Sequence, residues 1–218
     1  MADSDSRAGI RYASPAMIDW VNGTHARFDD VLETAFSSPD REAMPAIMVG
    51  ASEAKFLQLL VSMVAAKKVV EVGTLAGFSA ICMARGLPPD GHLWTIENEA
   101  HHVDVARRNI GCAGLEKVVT VIHDDAVSAL EALSADGPFD CLFIDADKER
   151  YDHYGRWAAK SLRPGGLLIA DNAYFFGNLL DDRPDAEAVR TFHREAALEF
   201  ESVCLPTPDG MVLGIKKG

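Results

Sequence analysis

The sequence predicts an α/β protein: a doubly wound, mostly parallel sheet with helices on both faces and an antiparallel C-terminal hairpin. Three observations predict it. From Lys68 onward, short apolar runs alternate with segments of helical period. Those runs are apolar nearly throughout, as strands covered on both faces must be. The tail reads "FESVCLP", a "TPDG" turn and "GMVLGIKK", two strand patterns about a tight reversal.

Taken in order, residues 1–13 are small and polar and are expected to form a loose arm. A weak helical pattern follows over 15–36, with Ile18, Val21, His25 and Phe28, then Val31, Leu32 and Phe36. "SSPDREAMP", 37–45, reads as a loop. The stretch 52–66 reads as a firm helix: Ser52 suits its N-cap, and Phe56, Leu59, Leu60, Met63 and Val64 share one face. Strands are expected at 68–72, 92–97, 118–123, 139–145 and 165–171, and helices at 78–86, 99–113, 126–134, 149–161 and 184–198. The whole chain, 1–218, is expected to be one domain, with 1–42 an arm plus helical extension and 43–218 the core.

Composition narrows the function. The chain has 218 residues, is 48% apolar and 25% charged, and carries a net charge of −12. Acidity argues against nucleic-acid phosphate and anionic membrane surfaces as partners. No apolar run reaches the roughly 18 residues of a membrane span. "MADSDSRAG" has no signal-peptide core. Cys82, Cys112, Cys141 and Cys204 are not at metal-site spacing and are expected to be free thiols in the cytoplasm.

The strand tips carry the chemistry. "VVEVGTLAGFSA", 69–80, puts Gly73 and Gly77 directly after the first core strand, where backbone can approach a ligand. Ser79 adds a hydroxyl near the start of the next helix. The spacing is neither a dinucleotide fingerprint nor a Walker loop, and a plain βα turn is the alternative. Glu97 ends the second strand, where a carboxylate can accept hydrogen bonds from a ribose. Glu71 can face a cationic ligand or bond the loop. A ligand with ribose but no pyrophosphate, such as S-adenosylmethionine (SAM), suits this loop better than NAD. Asp124 and Asp125 either cap the following helix or, with Ala126, border an adenine.

With these motifs in place, the chain resembles the cation-dependent class I O-methyltransferases, the group of catechol and caffeoyl-coenzyme A O-methyltransferase. "MVGASEAKFLQLL", "VVEVGTLAGFSA", "TIENE", "FDCLFIDADKERY" and "LRPGGLLIADN" carry the resemblance over about 43–217. It implies a seven-stranded Rossmann-like sheet with SAM at its carboxyl edge, and a homodimer. It implies that Gly73 and Gly77 line the methionine part, and that Ser79 binds its carboxylate with the Val49 backbone nearby. Glu97 would hold the ribose, and Asp125 and Ala126 would border the adenine. Glu71 and Asp145 are expected on the cofactor side as well. The divalent cation, Mg²⁺ first, would be held by Asp145, Asp171 and Asn172. Lys148, with Asp145, would be catalytic.

These residue types suit methyl transfer to a phenolic oxygen. Two carboxylates and an amide oxygen are hard ligands that leave octahedral positions free for water and a catechol's paired hydroxyls. Lys148 in such a site would have a lowered pKa and could take the phenolic proton; otherwise it is a surface lysine at a helix start. Asp147 reads as that helix's N-cap. "DNAYFFG" departs from the family's usual "DN-x-L-W-x-G", so Tyr174, Phe175 and Phe176 are expected to shape a different acceptor wall, with Met48 opposite. For Met48 and Trp20 core packing is an equal alternative. Two other functions stand beside this one: a non-catalytic SAM-binding protein and a NAD-dependent oxidoreductase.

Overall fold

The structure is a computed structural model that describes residues 13–218, so all but the last residue of the expected arm lies outside the described residues. Its sheet has seven strands: β1 (Lys68–Val72), β2 (His92–Glu97), β3 (Val119–His123), β4 (Phe139–Ile144), β5 (Leu162–Ala170), β6 (Phe200–Leu205) and β7 (Met211–Lys216). Their order is β3-β2-β1-β4-β5-β7-β6. Neighbours pair in parallel except β7, which runs against both β5 and β6. The chain starts the sheet in its middle, winds outward through β2 and β3, then returns to β4 on the other side of β1. Such a reversal opens a crevice beyond the carboxyl ends of β1 and β4.

Eight helices are described: α1 (Pro15–His25), α2 (Asp30–Arg41), α3 (Ala51–Met63), α4 (Phe78–Ala84), α5 (Ala100–Cys112), α6 (Ala126–Leu133), α7 (Tyr151–Ser161) and α8 (Pro184–Glu199). Side-chain alternation along the central strands assigns them to two faces. Val69, Cys141, Phe143, Leu167 and Ile169 point to the layer that includes α3, α4 and α5. Val70, Val72, Leu142, Ile144 and Leu168 point to α6, α7 and α8, where Tyr151, Tyr154 and Phe192 are fully buried. Each core side chain of this size contributes about 1.5–3 kcal/mol through burial.

Four local expectations are corrected. The single helical pattern over 15–36 is two helices, because the Asp29 side chain accepts the Leu32 amide and starts α2 anew. The loop expected from residue 37 begins only after Arg41: α2 passes through Pro39. Burial of Ala35, Ser38 and Pro39 outweighs the missing N–H, and Ser38 Oγ also reaches Asn109 of α5. Helix α3 is capped at Gly50 rather than Ser52. Glu53 reaches back to accept the Gly50 amide at 2.8 Å, while Ser52 Oγ bonds Asn22 of α1. The same helix stops at Met63, three residues short of the expected 52–66, since Ala65 turns to a φ of +48° and the Ala66 amide closes on Val61 O.

Candidate active site

A cleft of about 660 Å³ opens beyond the carboxyl ends of β1 to β4. Its first wall is the loop after β1. Gly73 there has a φ of +96°, and a Cβ on it would stand 2.0 Å from the backbone oxygen of Asp145. Only glycine lets the β1 loop pass this close to the end of β4. Gly73 and Ser79 line the cleft; Gly77 does not. Gly77 instead supplies the left-handed N-cap of α4, and the space of its missing Cβ faces Ala106 and Ile110 of α5. Glu71 also stays out of the cleft. Its carboxyl is fully buried under the loop and accepts hydrogen bonds from Ser79 Oγ at 2.5 Å and Thr95 Oγ1 at 2.6 Å. Burial pushes its pKa up to about 8, with the charges of Asp145 and Glu97 adding to the rise and the two hydroxyls opposing it.

Glu97 is held firmly at the tip of β2. Oε2 accepts the Leu75 amide at 2.8 Å, and Oε1 accepts the amides of Asn98 and Glu99 at 3.0 and 3.1 Å. A carboxylate has about four acceptor sites, so the three amides leave one, on Oε2, and Glu97 lines the cleft. His102 of α5 lines the cleft as well, with Nδ1 3.6 Å from Glu97 Oε1. Beyond β3, Asp125 is the N-cap of α6: Oδ1 accepts the amides of Val127 and Ser128. Oδ2 pairs with Arg150, which holds the carboxyl below its usual range. Both oxygens are therefore engaged, and Ala126 lines the cleft beside them.

The ends of β4 and β5 bring the two strand-tip aspartates together. The Asp145 amide bonds Val72 O and the Asp171 amide bonds Ile144 O, each at 2.9 Å, extending the ladder by one step. Lys148 Nζ sits 3.6 Å from Asp145 Oδ1 and donates to Tyr151 Oη at 2.5 Å. Tyr151 Oη in turn donates to Asp171 O at 2.8 Å. Burial lowers the Lys148 pKa, and the charges of Asp145 and Asp171 oppose the shift. Burial raises Asp145. Asp171 is pushed up to about 7 by burial first and then by the charge of Asp145. A buried and a half-buried carboxyl that repel each other are a donor set that a cation would relieve. Among the described residues no three His, Cys, Asp or Glu side chains gather at metal-holding distance, so the expected trio depends on the Asn172 amide. Asn172 lines the cleft, whereas Asp171 is buried behind it.

Asp147 is not the N-cap of the helix expected at 149–161, which is Arg150; it precedes the short turn Lys148–Arg150, and its side chain caps nothing. It accepts Tyr154 Oη at 2.6 Å and faces Arg150 at 3.4 Å. Of the expected acceptor residues, Met48 and Phe176 line the cleft, with Val49 beside them. Tyr174 and Phe175 do not. The Tyr174 ring lies over Gly210, and Phe175 is buried with the Arg183 guanidinium 5.5 Å from its ring. Trp20 is exposed on α1. Sequence reading missed Tyr151, Arg150 and His102. The only available signal was the three-residue spacing of Lys148 and Tyr151, which puts both on one side of a helical turn.

Comparison with known proteins adds the family. The O-methyltransferase family profile matches residues 24–217. A catechol O-methyltransferase of Niastella koreensis is 40% identical over 191 residues, covering 87% of this chain and 86% of its own. A catechol O-methyltransferase of Mycobacterium tuberculosis is 40% identical over 177 residues, covering 81% and 80%. The crystal structure of an O-methyltransferase from Bacillus cereus in complex with SAH superposes with a TM-score of 0.88 at 33% identity, covering 93% of this chain and 97% of that one. The match starts at the very end of α1 and runs just past β7, taking in every strand and the whole cleft. On that extent of likeness, the chain belongs to the O-methyltransferase family.

Proposed function

We propose that the protein moves a methyl group from SAM to a hydroxyl of a catechol-like or other phenolic small molecule, with a divalent cation, Mg²⁺ first, held by Asp145, Asp171 and Asn172. The observation that carries this reading is the pairing of Asp145 and Asp171 one step past adjacent parallel strands, with Lys148 Nζ 3.6 Å from Asp145 at the cleft floor. The relatives named catechol O-methyltransferase support the acceptor class, and the SAH-bound neighbour supports SAM. When bound, SAM supplies the methyl on its sulfonium and the cation supplies a Lewis acid beside the phenolic oxygen.

The chain's own residues do the rest. Gly73 keeps the β1 loop low enough for a ligand to lie over it, and Glu97 offers its open acceptor site to a ribose hydroxyl. Ala126 gives a small apolar edge for adenine. Lys148, whose burial favours the neutral amine, takes the phenolic proton at Nζ. Tyr151 keeps that amine in place from its bond to Asp171 O. Phe176, 64% exposed, presents its ring to an aromatic acceptor, with Met48 opposite. Holding two substrates in line supplies several kcal/mol toward the barrier, on the order of 7–11 in favourable cases.

We place it in the cytoplasm, supported by its four cysteines, all of them free thiols. We read it as a homodimer, supported by the exposed apolar side chains Met17, Ile18, Trp20 and Val21 of α1.

The test is mass spectrometry of a catechol panel incubated with SAM, with Mg²⁺ or with excess chelator. The expected result is a monomethylated product that disappears on chelation and in Asp171→Ala, while calorimetry still detects SAM binding. Full turnover in chelator would remove the cation from the reading. SAM binding with no product from any phenol would favour the non-catalytic alternative.

A further inference from the structure

Six non-glycine residues among those described have a positive φ, and three of them crowd into one segment: Asn172, Phe175 and Phe176, at +51°, +52° and +53°. A phenylalanine gains nothing from this region, since its Cβ crowds the carbonyl oxygen. Such backbone persists only where its surroundings hold it.

The holding group is the turn between β6 and β7. The Ala173 amide donates to Gly210 O at 2.9 Å and the Tyr174 amide to Asp209 O at 2.8 Å. The Phe176 amide donates to both carboxylate oxygens of Asp209, at 2.9 and 3.2 Å. This last bond is the one made by a side chain, and it falls on the left-handed residue whose ring lines the cleft. Gly210 completes the seat, since a Cβ there would lie 2.7 Å from the Tyr174 ring. From the other side, His193 of α8 bonds Ala173 O at 2.8 Å, and Arg190 Nη1 donates to Leu179 O and Asp181 O, each at 2.8 Å. Ala173 to Asp181 is thus pinned at both ends, and Asp209 sets where Phe176 stands between them.

We propose that Asp209 is a positioning residue for the acceptor. By accepting the Phe176 amide it fixes the Phe176 ring at the cleft, and so sets acceptor affinity and the choice between two neighbouring hydroxyls. The inference rests on the reading of the cleft as a phenol methylation site.

Two variants and two readouts test it. In Asp209→Ala the KM for a catechol should rise roughly tenfold, as expected for a lost charge-assisted bond. The ratio of the two monomethyl isomers should move toward unity, and the KM for SAM should hold. Asp209→Asn keeps an oxygen for the Phe176 amide and should recover most of the acceptor KM. It also removes the charge that reaches Lys148, so failure of the rescue would assign the effect to that charge and overturn the proposal. Phe176→Ala should reproduce the Asp209→Ala shift, and the double variant should be no worse than the worse single one. Hydrogen exchange on the full chain should quicken at 173–177 in Asp209→Ala and nowhere else. Unchanged exchange there, or faster exchange throughout the fold, would also overturn the proposal. If the wild type methylates no phenol, the functional reading fails and the acceptor role with it. The exchange result then still decides whether Asp209 holds the segment.

Discussion

Glu71 shows how much one buried carboxyl can decide. It has no exposed surface, and its oxygens are met by Ser79 and Thr95, the latter linked to Thr74 at 2.5 Å. Its pKa in the folded protein is about 8 against an ordinary 4.5, chiefly through burial. Between those values the folded state keeps a proton that the unfolded state releases, so Glu71 makes stability fall as pH rises through that window. Glu71→Gln cannot titrate. Chemical denaturation at pH 5 and pH 8 should therefore show a larger loss in the wild type than in the variant, and equal losses would refute the assignment. Asp145 and Lys148 were legible as residues of the cleft, because polar groups at the end of an apolar strand have no packing reason to be there. Glu71 was half legible: its burial followed from the strand, but its hydroxyl partners come from α4 and β2 and depend on how the sheet is assembled.

At the scale of elements, the loop after β1 depends on one contact. A methyl group on Gly73 would meet the backbone oxygen of Asp145 at 2.0 Å, and no flexible side chain is there to give way. Gly73→Ala should push the loop off the end of β4, weaken SAM binding at least tenfold and cost on the order of 3 kcal/mol in stability. Gly111→Ala on α5 is the matched control. Nothing lies within 4 Å of its Cβ position, so it should be neutral or gain about 0.5–1 kcal/mol. Calorimetry and thermal unfolding of the two variants check both outcomes. From Lys68 onward the alternation of strands and helices was legible to within three residues, because period and length are local; the widest miss is β5, which starts at Leu162 rather than at the expected 165. The start of α3 was not, because Glu53 reaches back to Gly50 while Ser52 is claimed by Asn22 of α1.

Across the whole molecule, the strand order places the cleft over the point where the chain reverses direction. Its lining comes from both sides of β1: Glu97 and Asp125 from one half, Asp145, Lys148 and Asn172 from the other. A ligand that fills it ties the halves together and stabilises the fold by mass action. SAH at about 100 times its dissociation constant should add about 2.7 kcal/mol, which for a chain of this size raises Tm by about 5–10 °C. NAD at the same concentration should leave Tm unchanged. A rise with NAD and none with SAH would reverse the cofactor assignment.

The sequence by itself determined the α/β alternation, the antiparallel tail, the strand-tip carboxylates and the glycine loop. Each is written in neighbouring residues through period, apolar run length or a backbone requirement. Only the tertiary structure decided which side chains reach the cleft. Tyr174, Phe175 and Phe176 are three aromatic residues in a row with no period to separate them. Phe176 faces the cleft because a turn far along the chain holds its amide, and Tyr174 turns away because Gly210 leaves room for its ring. Contacts between residues distant in sequence leave no local pattern, and this wall of the cleft is made of them.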